Sequence, residues 1–260
     1  YAWNSTKNTL LKSVRDIGFE EVVISINEGG LLRTIKHPNQ DKYPGQKIFI
    51  LKIRGYIYLV PFVEDEYYHI YNRGVDKRSI FENRKDLERF FQSVKEFNSV
   101  EPIGSIFENS FNKEEASEKL VEIICYCLNP NHFHFILRPF IENGISEFMK
   151  RLGGYTWYFN NRHKRNGALF QGRFKSSHIN SNEYLLHVSV YVNLNNRFKG
   201  SPHLLSKSSW HEYTERGSDY ICNPKIVLAQ FKNSKEYQIF AESSLGDILK
   251  RKEFERELEF

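Results

Sequence analysis

Cysteine is scarce in this chain, with three in 260 residues: Cys125, Cys127 and Cys222. They form no zinc motif, because Cys125-Tyr-Cys127 is one residue short of the usual knuckle, and reduced core thiols are the reading they support. Long apolar runs are also missing. Nothing approaches the roughly 20 residues needed to span a bilayer, so no membrane partner is expected. The opening Tyr1-Ala-Trp-Asn-Ser-Thr6 lacks the charged-then-apolar order of a secretory signal. A cytoplasmic protein of a bacterial or archaeal cell is the expectation. With 40% apolar residues, the chain can bury one large core or two small ones.

Net charge is modest at +5, but it is unevenly spread. Residues 144–200 carry nine Lys or Arg against Glu147 and Glu183, a local excess of +7. Interleaved are Tyr155, Trp157, Tyr158, Phe159, Phe170 and Phe174. Basic side chains contact phosphates and exposed aromatics stack on unpaired bases, so Arg162, Lys164, Arg165, Arg173 and Lys175 suggest a single-stranded nucleic-acid surface. A solvated helix face over core aromatics is the alternative. After residue 200 the balance is even, nine basic against ten acidic residues.

Two short patterns carry chemistry. In Tyr126-Cys-Leu-Asn-Pro-Asn-His-Phe-His-Phe-Ile-Leu-Arg138, strand alternation places His132 and His134 on one face, where both imidazoles can meet a divalent metal. Ordinary half-buried strand histidines would look the same. In Glu183-Tyr-Leu-Leu-His-Val-Ser-Val-Tyr-Val-Asn-Leu-Asn195, Leu185, Val188 and Val192 recur at helical spacing, so Tyr191 and Asn195 share a face one turn apart. That pairs a nucleophile with a further metal ligand, or simply packs a tyrosine. The rival tyrosines Tyr184, Tyr155 and Tyr158 have Val188, Phe159 and Arg162 four residues on.

From about Tyr67 to Phe198 the chain resembles the single-tyrosine transposases of the IS200/IS605 type, nucleases with a His-hydrophobic-His motif, and most of all the REP-associated tyrosine transposases. The likeness rests on four blocks in the family's order: Tyr68-His-Ile-Tyr-Asn-Arg-Gly-Val-Asp-Lys-Arg-Ser-Ile-Phe81, Tyr126-Cys-Leu-Asn-Pro-Asn-His-Phe-His-Phe135, Leu169-Phe-Gln-Gly-Arg-Phe-Lys-Ser176 and Tyr191-Val-Asn-Leu-Asn195. Phe133 stands where an aliphatic residue is usual, and Asn196 where proline is common. The resemblance implies a Mg²⁺ or Mn²⁺ site at His132, His134 and Asn195, with Tyr191 as the nucleophile. It implies single-stranded DNA with a hairpin as partner, and Arg73, Lys77, Arg78 and Gln171 join the five residues above as expected DNA contacts. It is compatible with a homodimer, in which Tyr191 serves its own histidines or its partner's.

The coarse pattern is α+β. Strands are predicted at Tyr67–Asn72, Val121–Leu128 and Phe133–Arg138, with an irregular strand over Gly167–Ile179. Helices are predicted at Arg84–Phe97, at Ile145–His163 broken by Gly153-Gly154, and at Asn182–Asn195, with a polar insertion at Asn98–Glu118. The resemblance sharpens this to a ferredoxin-like, RRM-like antiparallel sheet with helices on one side and the histidines on a central strand. Three domains are expected: a small N-terminal α/β module over 1–65, the transposase domain over 66–200 and a helical extension over 201–260. The module reads as helix, helix and a hairpin turned at Arg54-Gly55, and it looks like a truncated BrnT-like ribonuclease toxin or a packing domain without chemistry. In the extension, Asn223–Phe231 and Lys235–Phe240 read as short helices and Leu249–Phe260 as a charged terminal helix or frayed tail. The functional expectation is metal-dependent DNA cleavage and strand transfer through a 5′-phosphotyrosine. A non-cleaving DNA-binding regulator is the alternative, and a toxin-type ribonuclease a third reading.

Overall fold

The computed structural model describes residues 3, 5–43, 46–63, 66–104, 106, 118–198, 204–215 and 221–258. The chain divides into two compact units, Tyr1–Asp65 and Glu66–Phe260.

The first unit holds α1 (Ser5–Arg15), α2 (Phe19–Asn27) and an antiparallel sheet of β1 (Leu31–Lys36), β2 (Gln46–Ile53) and β3 (Tyr56–Val63) in the order β1-β2-β3. Arg54 and Gly55 both take positive φ, 49° and 85°, which suits a two-residue hairpin loop whose twist matches its strands. The core is small: Ile17, Val22, Leu51 and Ile53, with Phe49, Tyr58 and Val60 packed on it. The two helices and the hairpin match the sequence reading. Strand β1 is an addition, since Leu31-Leu-Arg-Thr-Ile-Lys36 has too few apolar residues to stand out beside β2.

The second unit is built on a five-stranded antiparallel sheet in the order β7-β4-β6-β5-β8. Its strands are β4 (Tyr67–Arg73), β5 (Val121–Asn129), β6 (His132–Pro139), β7 (Lys175–Ile179) and β8 (Lys207–Ser208). The helices are α3 (Arg84–Glu96), α4 (Gly144–Gly153), α5 (Tyr155–Arg162), α6 (Asn182–Asn193), α7 (Trp210–Thr214), α8 (Lys225–Leu228) and α9 (Ser234–Leu258). The α+β class and the antiparallel sheet are as expected, and β6 is the central strand. Most of the insertion Asn98–Glu118 lies outside the described residues, as do the side chains of 249–260.

Strand alternation decides what each face of β6 does. Phe133, Phe135 and Leu137 point to one side and are buried. There the Phe133 ring meets Phe90 of α3 at 5.5 Å, and Phe135 meets Phe148 of α4 at 6.4 Å. Helix α3 starts from a reciprocal capping box between Asn83 and Asp86, and its Leu87, Phe90 and Val94 are buried at the spacing the sequence suggested. His132 and His134 point to the other side, where α6 lies with Leu185, Val188 and Val192 buried. Helices therefore lie on both faces of the sheet: α3 and α4 on the aromatic side, and the tyrosine helix on the histidine side.

The residues after 200 are not an appended extension. Strand β8 pairs with β5 through Cys127↔Ser208 and Leu128↔Lys207. Tyr213, Cys222, Val227, Tyr237, Ala241 and Leu245 belong to the main core. The Tyr213 hydroxyl donates to the Ile124 carbonyl at 2.9 Å, and Asn193 of α6 donates to the Tyr237 hydroxyl at 3.0 Å. The two short helices expected there are α8 and a single longer α9. The three cysteines are buried and form no disulfide, and burial pushes their thiols up.

Candidate active site

The turn between β5 and β6 builds the first part of the site. Asn129 and His132 are a cross-strand pair that closes it, and the turn is pinned from outside by Ile80 N–H and Phe81 N–H donating to the Pro130 carbonyl. His132 Nδ1 lies 2.6 Å from the Asn131 carboxamide oxygen, an acceptor only, so Nδ1 carries the proton and the lone pair sits on Nε2. That Nε2 is 3.0 Å from Asn195 Oδ1. The buried Asn129 amide donates to both, at 3.1 Å to His132 Nε2 and 2.9 Å to Asn195 Oδ1. Two acceptors are thus held side by side by a shared donor, an arrangement that serves a cation as well as an N–H.

His134, buried at 7% exposure, follows two residues on with its ring 5.2 Å from that of His132. Its Nδ1 is 2.9 Å from Nε2 of His69 on β4. Burial alone pushes His69 down to about 4, which keeps this imidazole neutral.

Tyr191 on α6 stands edge-on to His134 and His69, with centroids 5.4 and 5.9 Å away, and against Phe198 at 5.2 Å. Burial raises its phenol above the ordinary value, opposed by a hydrogen bond with the Asn195 side chain and by the positive charge of Arg73. Helix α6 ends at Asn193, short of the expected Asn195, which opens a 3-10 turn over Asn195–Arg197. The one-turn relation of Tyr191 to Asn195 survives that change.

Two of the rival tyrosines, Tyr155 and Tyr158, are placed elsewhere, and the third borders the site. Tyr155 is buried on the aromatic side, donating to the Ile80 carbonyl at 2.8 Å, and Arg89 sits over the Tyr158 ring at 5.1 Å. Tyr184 lines a cleft of about 610 Å³ together with His69, Tyr71, His134, His187 and Tyr191.

The nine expected DNA contacts fall into two groups. Arg73 is the cross-strand neighbour of His132, and Lys175 pairs with Tyr71, itself the neighbour of His134. Both therefore project from the histidine face. Lys77 and Arg78 belong to the loop after β4, tied to the site by the Asn131 amide donating to the Lys77 carbonyl at 3.1 Å. An added Cβ at Gly74 in this loop would lie 2.1 Å from the Arg78 carbonyl oxygen, so only glycine fits there. Gln171 N–H donates to the Arg73 carbonyl at 2.9 Å, and exposed Arg173 follows two residues later. Arg162, Lys164 and Arg165 cluster at the end of α5. The Arg162 guanidinium is 3.3 Å from the fully buried Asp86 carboxylate, and Arg165 lies over the Phe159 ring at 5.5 Å. Arg162 is thus a partner of the α3 capping box, and one continuous basic surface is not what forms.

The family described as "Transposase IS200 like" matches residues 62–195, more than half of the 260. The chain belongs to the IS200-like transposase family. Among solved structures, one described as "Structure of the REP associates tyrosine transposase bound to a REP hairpin" is 14% identical, covers 60% of this chain and 83% of its own, and superposes with a TM-score of 0.37. No curated protein matches. The family match begins at residue 62, and nothing found supports the toxin likeness expected for the first 65 residues. Two helices and a hairpin are a pattern common to many small α/β modules, and that pattern alone prompted it. No helix among the described residues is long and apolar enough to cross a membrane.

For this IS200-like transposase, sequence reasoning missed Asn129 and His69. Asn129 could have been found, because a strand turning over two residues places it opposite His132. His69 could not, since its approach to His134 depends on the register of β4 against β6.

Proposed function

We propose that this transposase cleaves single-stranded DNA and transfers the strand through a 5′-phosphotyrosine on Tyr191, with a divalent cation held by His132, His134 and Asn195. One observation carries the reading: a phenol, two imidazoles and a carboxamide from two separate segments meet on one sheet face of a single chain.

The donor set suits the cation. Among the described residues no three His, Cys, Asp or Glu side chains form a metal cluster, and the proposed set therefore takes the carboxamide oxygen of Asn195 as its third protein ligand. Adjacent ligands of an octahedral Mg²⁺ at about 2.0–2.1 Å lie about 3 Å apart. The observed separation of His132 Nε2 and Asn195 Oδ1 is 3.0 Å, with the lone pair on that nitrogen. Few protein ligands leave room for water and phosphate oxygens, as Mg²⁺ and Mn²⁺ prefer. Bound there, the cation would neutralise charge on the scissile phosphate.

The chain's own groups supply the rest. Tyr191 Oη bonds to phosphorus as the P–O3′ bond breaks, its proton passing to solvent while the leaving 3′ oxygen takes one up. Attack by a 3′-OH on the phosphotyrosine reverses the step and joins strands, exchanging one phosphodiester for another. Arg73 stabilises the phenolate and the phosphate beside it, and Lys175 and Arg173 take flanking phosphates. A hairpin-bearing strand is the proposed substrate. Incubation with end-labelled hairpin DNA and Mn²⁺ tests this: a covalent protein–DNA band in the wild type and none in Tyr191→Phe is expected. DNA binding without any adduct across varied strands would replace the transferase with a binding-only regulator.

A further inference from the structure

We propose that His69 is a positioning residue whose Nε2 accepts the Nδ1–H of His134, fixing that ring in the tautomer with its lone pair on Nε2. The inference rests on the metal reading above and extends it to a residue outside the ligand set.

The two histidines of β6 are equipped alike. His132 gives its Nδ1 proton to the neighbouring Asn131 carboxamide at 2.6 Å. His134 has its Nδ1 2.9 Å from His69 Nε2, contributed by β4. Metal-binding imidazoles ordinarily donate their second N–H to such an acceptor, which sets the tautomer and aims the ring. Were the bond to run the other way, His134 Nε2 would carry a proton and could not coordinate.

His69 is itself held tightly. Its register against Ile136 puts it on the histidine face, diagonal to His134. Its ring lies nearly coplanar with that of His134, centroids 5.1 Å apart with 20° between planes, as a head-on hydrogen bond requires, and it stacks on Tyr71 at 5.0 Å with 29°. It also meets the edge of Tyr191. A hydrogen-bonded neighbour that is itself held against Tyr71 restrains the rotation of the His134 ring.

The test uses the full chain and Mn²⁺ alone. His69→Phe keeps an aromatic ring between Tyr71 and His134 but removes the acceptor, and His69→Gln restores an acceptor. Calorimetric Mn²⁺ titration is expected to show an affinity about 10- to 100-fold weaker in His69→Phe, as for other lost partners of ligating histidines. His69→Gln should recover most of that loss, and metal-free DNA binding should be unchanged in both. Nitrogen NMR of the metal-free wild type needs no variant and should find the His134 proton on Nδ1. A proton on Nε2 would overturn the inference whatever the variants do. Weaker Mn²⁺ binding in His132→Ala but wild-type binding in His69→Phe would overturn it while sparing the metal reading. No Mn²⁺ binding by the wild type would overturn both.

Discussion

On one side of β6, Phe133, Phe135 and Leu137 are sealed under α3 and α4; on the other, His132 and His134 face α6 and a cleft. The two sets alternate along six consecutive residues, yet one is a sealed apolar core and the other a polar network sharing donors and acceptors. A strand in the middle of a sheet can do both, because its backbone is held by neighbours on each edge and its side chains answer to different faces. The lesson is that substitutions one residue apart should fail in different ways.

The sharpest break in that comparison is expected on the histidine side. His132→Ala or His134→Ala should abolish cleavage and leave the fold and most DNA affinity intact, because the network keeps its Asn129–Asn195 bond and the phosphate-binding side chains are separate. Adduct formation at the wild-type rate by the double variant would remove the metal site. On the aromatic side the order reverses. Phe135→Ala empties a fully buried position and should cost about 3–5 kcal/mol by denaturant unfolding. A loss under about 1 kcal/mol would mean that the aromatic face collapses around the gap.

The basic residues give a finer version of the same contrast. Arg173→Ala with Lys175→Ala should weaken DNA binding and flatten its dependence on salt by about 0.7 in log–log slope per lost phosphate contact. Arg162→Ala should leave that slope unchanged and reduce stability instead, since it strips the guanidinium from buried Asp86. Equal slope changes in both variants would merge the two groups into one DNA surface.

How much of this could be read in advance follows from sequence separation. The His-x-His alternation and the Tyr191–Asn195 turn are local geometry, so the shared face of His132 and His134 and that of Tyr191 and Asn195 could be read from the sequence, and the structure brings the two pairs together. So were the helix faces of α3 and α6, whose apolar spacing is regular. What depended on pairing between distant segments was not. The capture of Arg162 by Asp86 joins residues 76 positions apart, while the charge count alone assigned Arg162 to DNA. Strand β8 is two residues long and exists only through its pairing with β5. The core residues Tyr237, Ala241 and Leu245 do recur at helical spacing, but they sit in a charge-balanced stretch that read as an extension.

Tyr191 is the proposed nucleophile, and it lies beside its own chain's His134 and His69. Burial holds its phenol above the ordinary value, so the phenolate is scarce at neutral pH, and single-turnover cleavage should quicken as pH rises through the alkaline range. The most direct measurement is peptide mapping of the adduct trapped on a labelled single strand with Mn²⁺. The nucleotide is expected on the peptide containing Tyr191 and on no other; attachment to Tyr184, Tyr155, Tyr158 or any other residue would contradict the account.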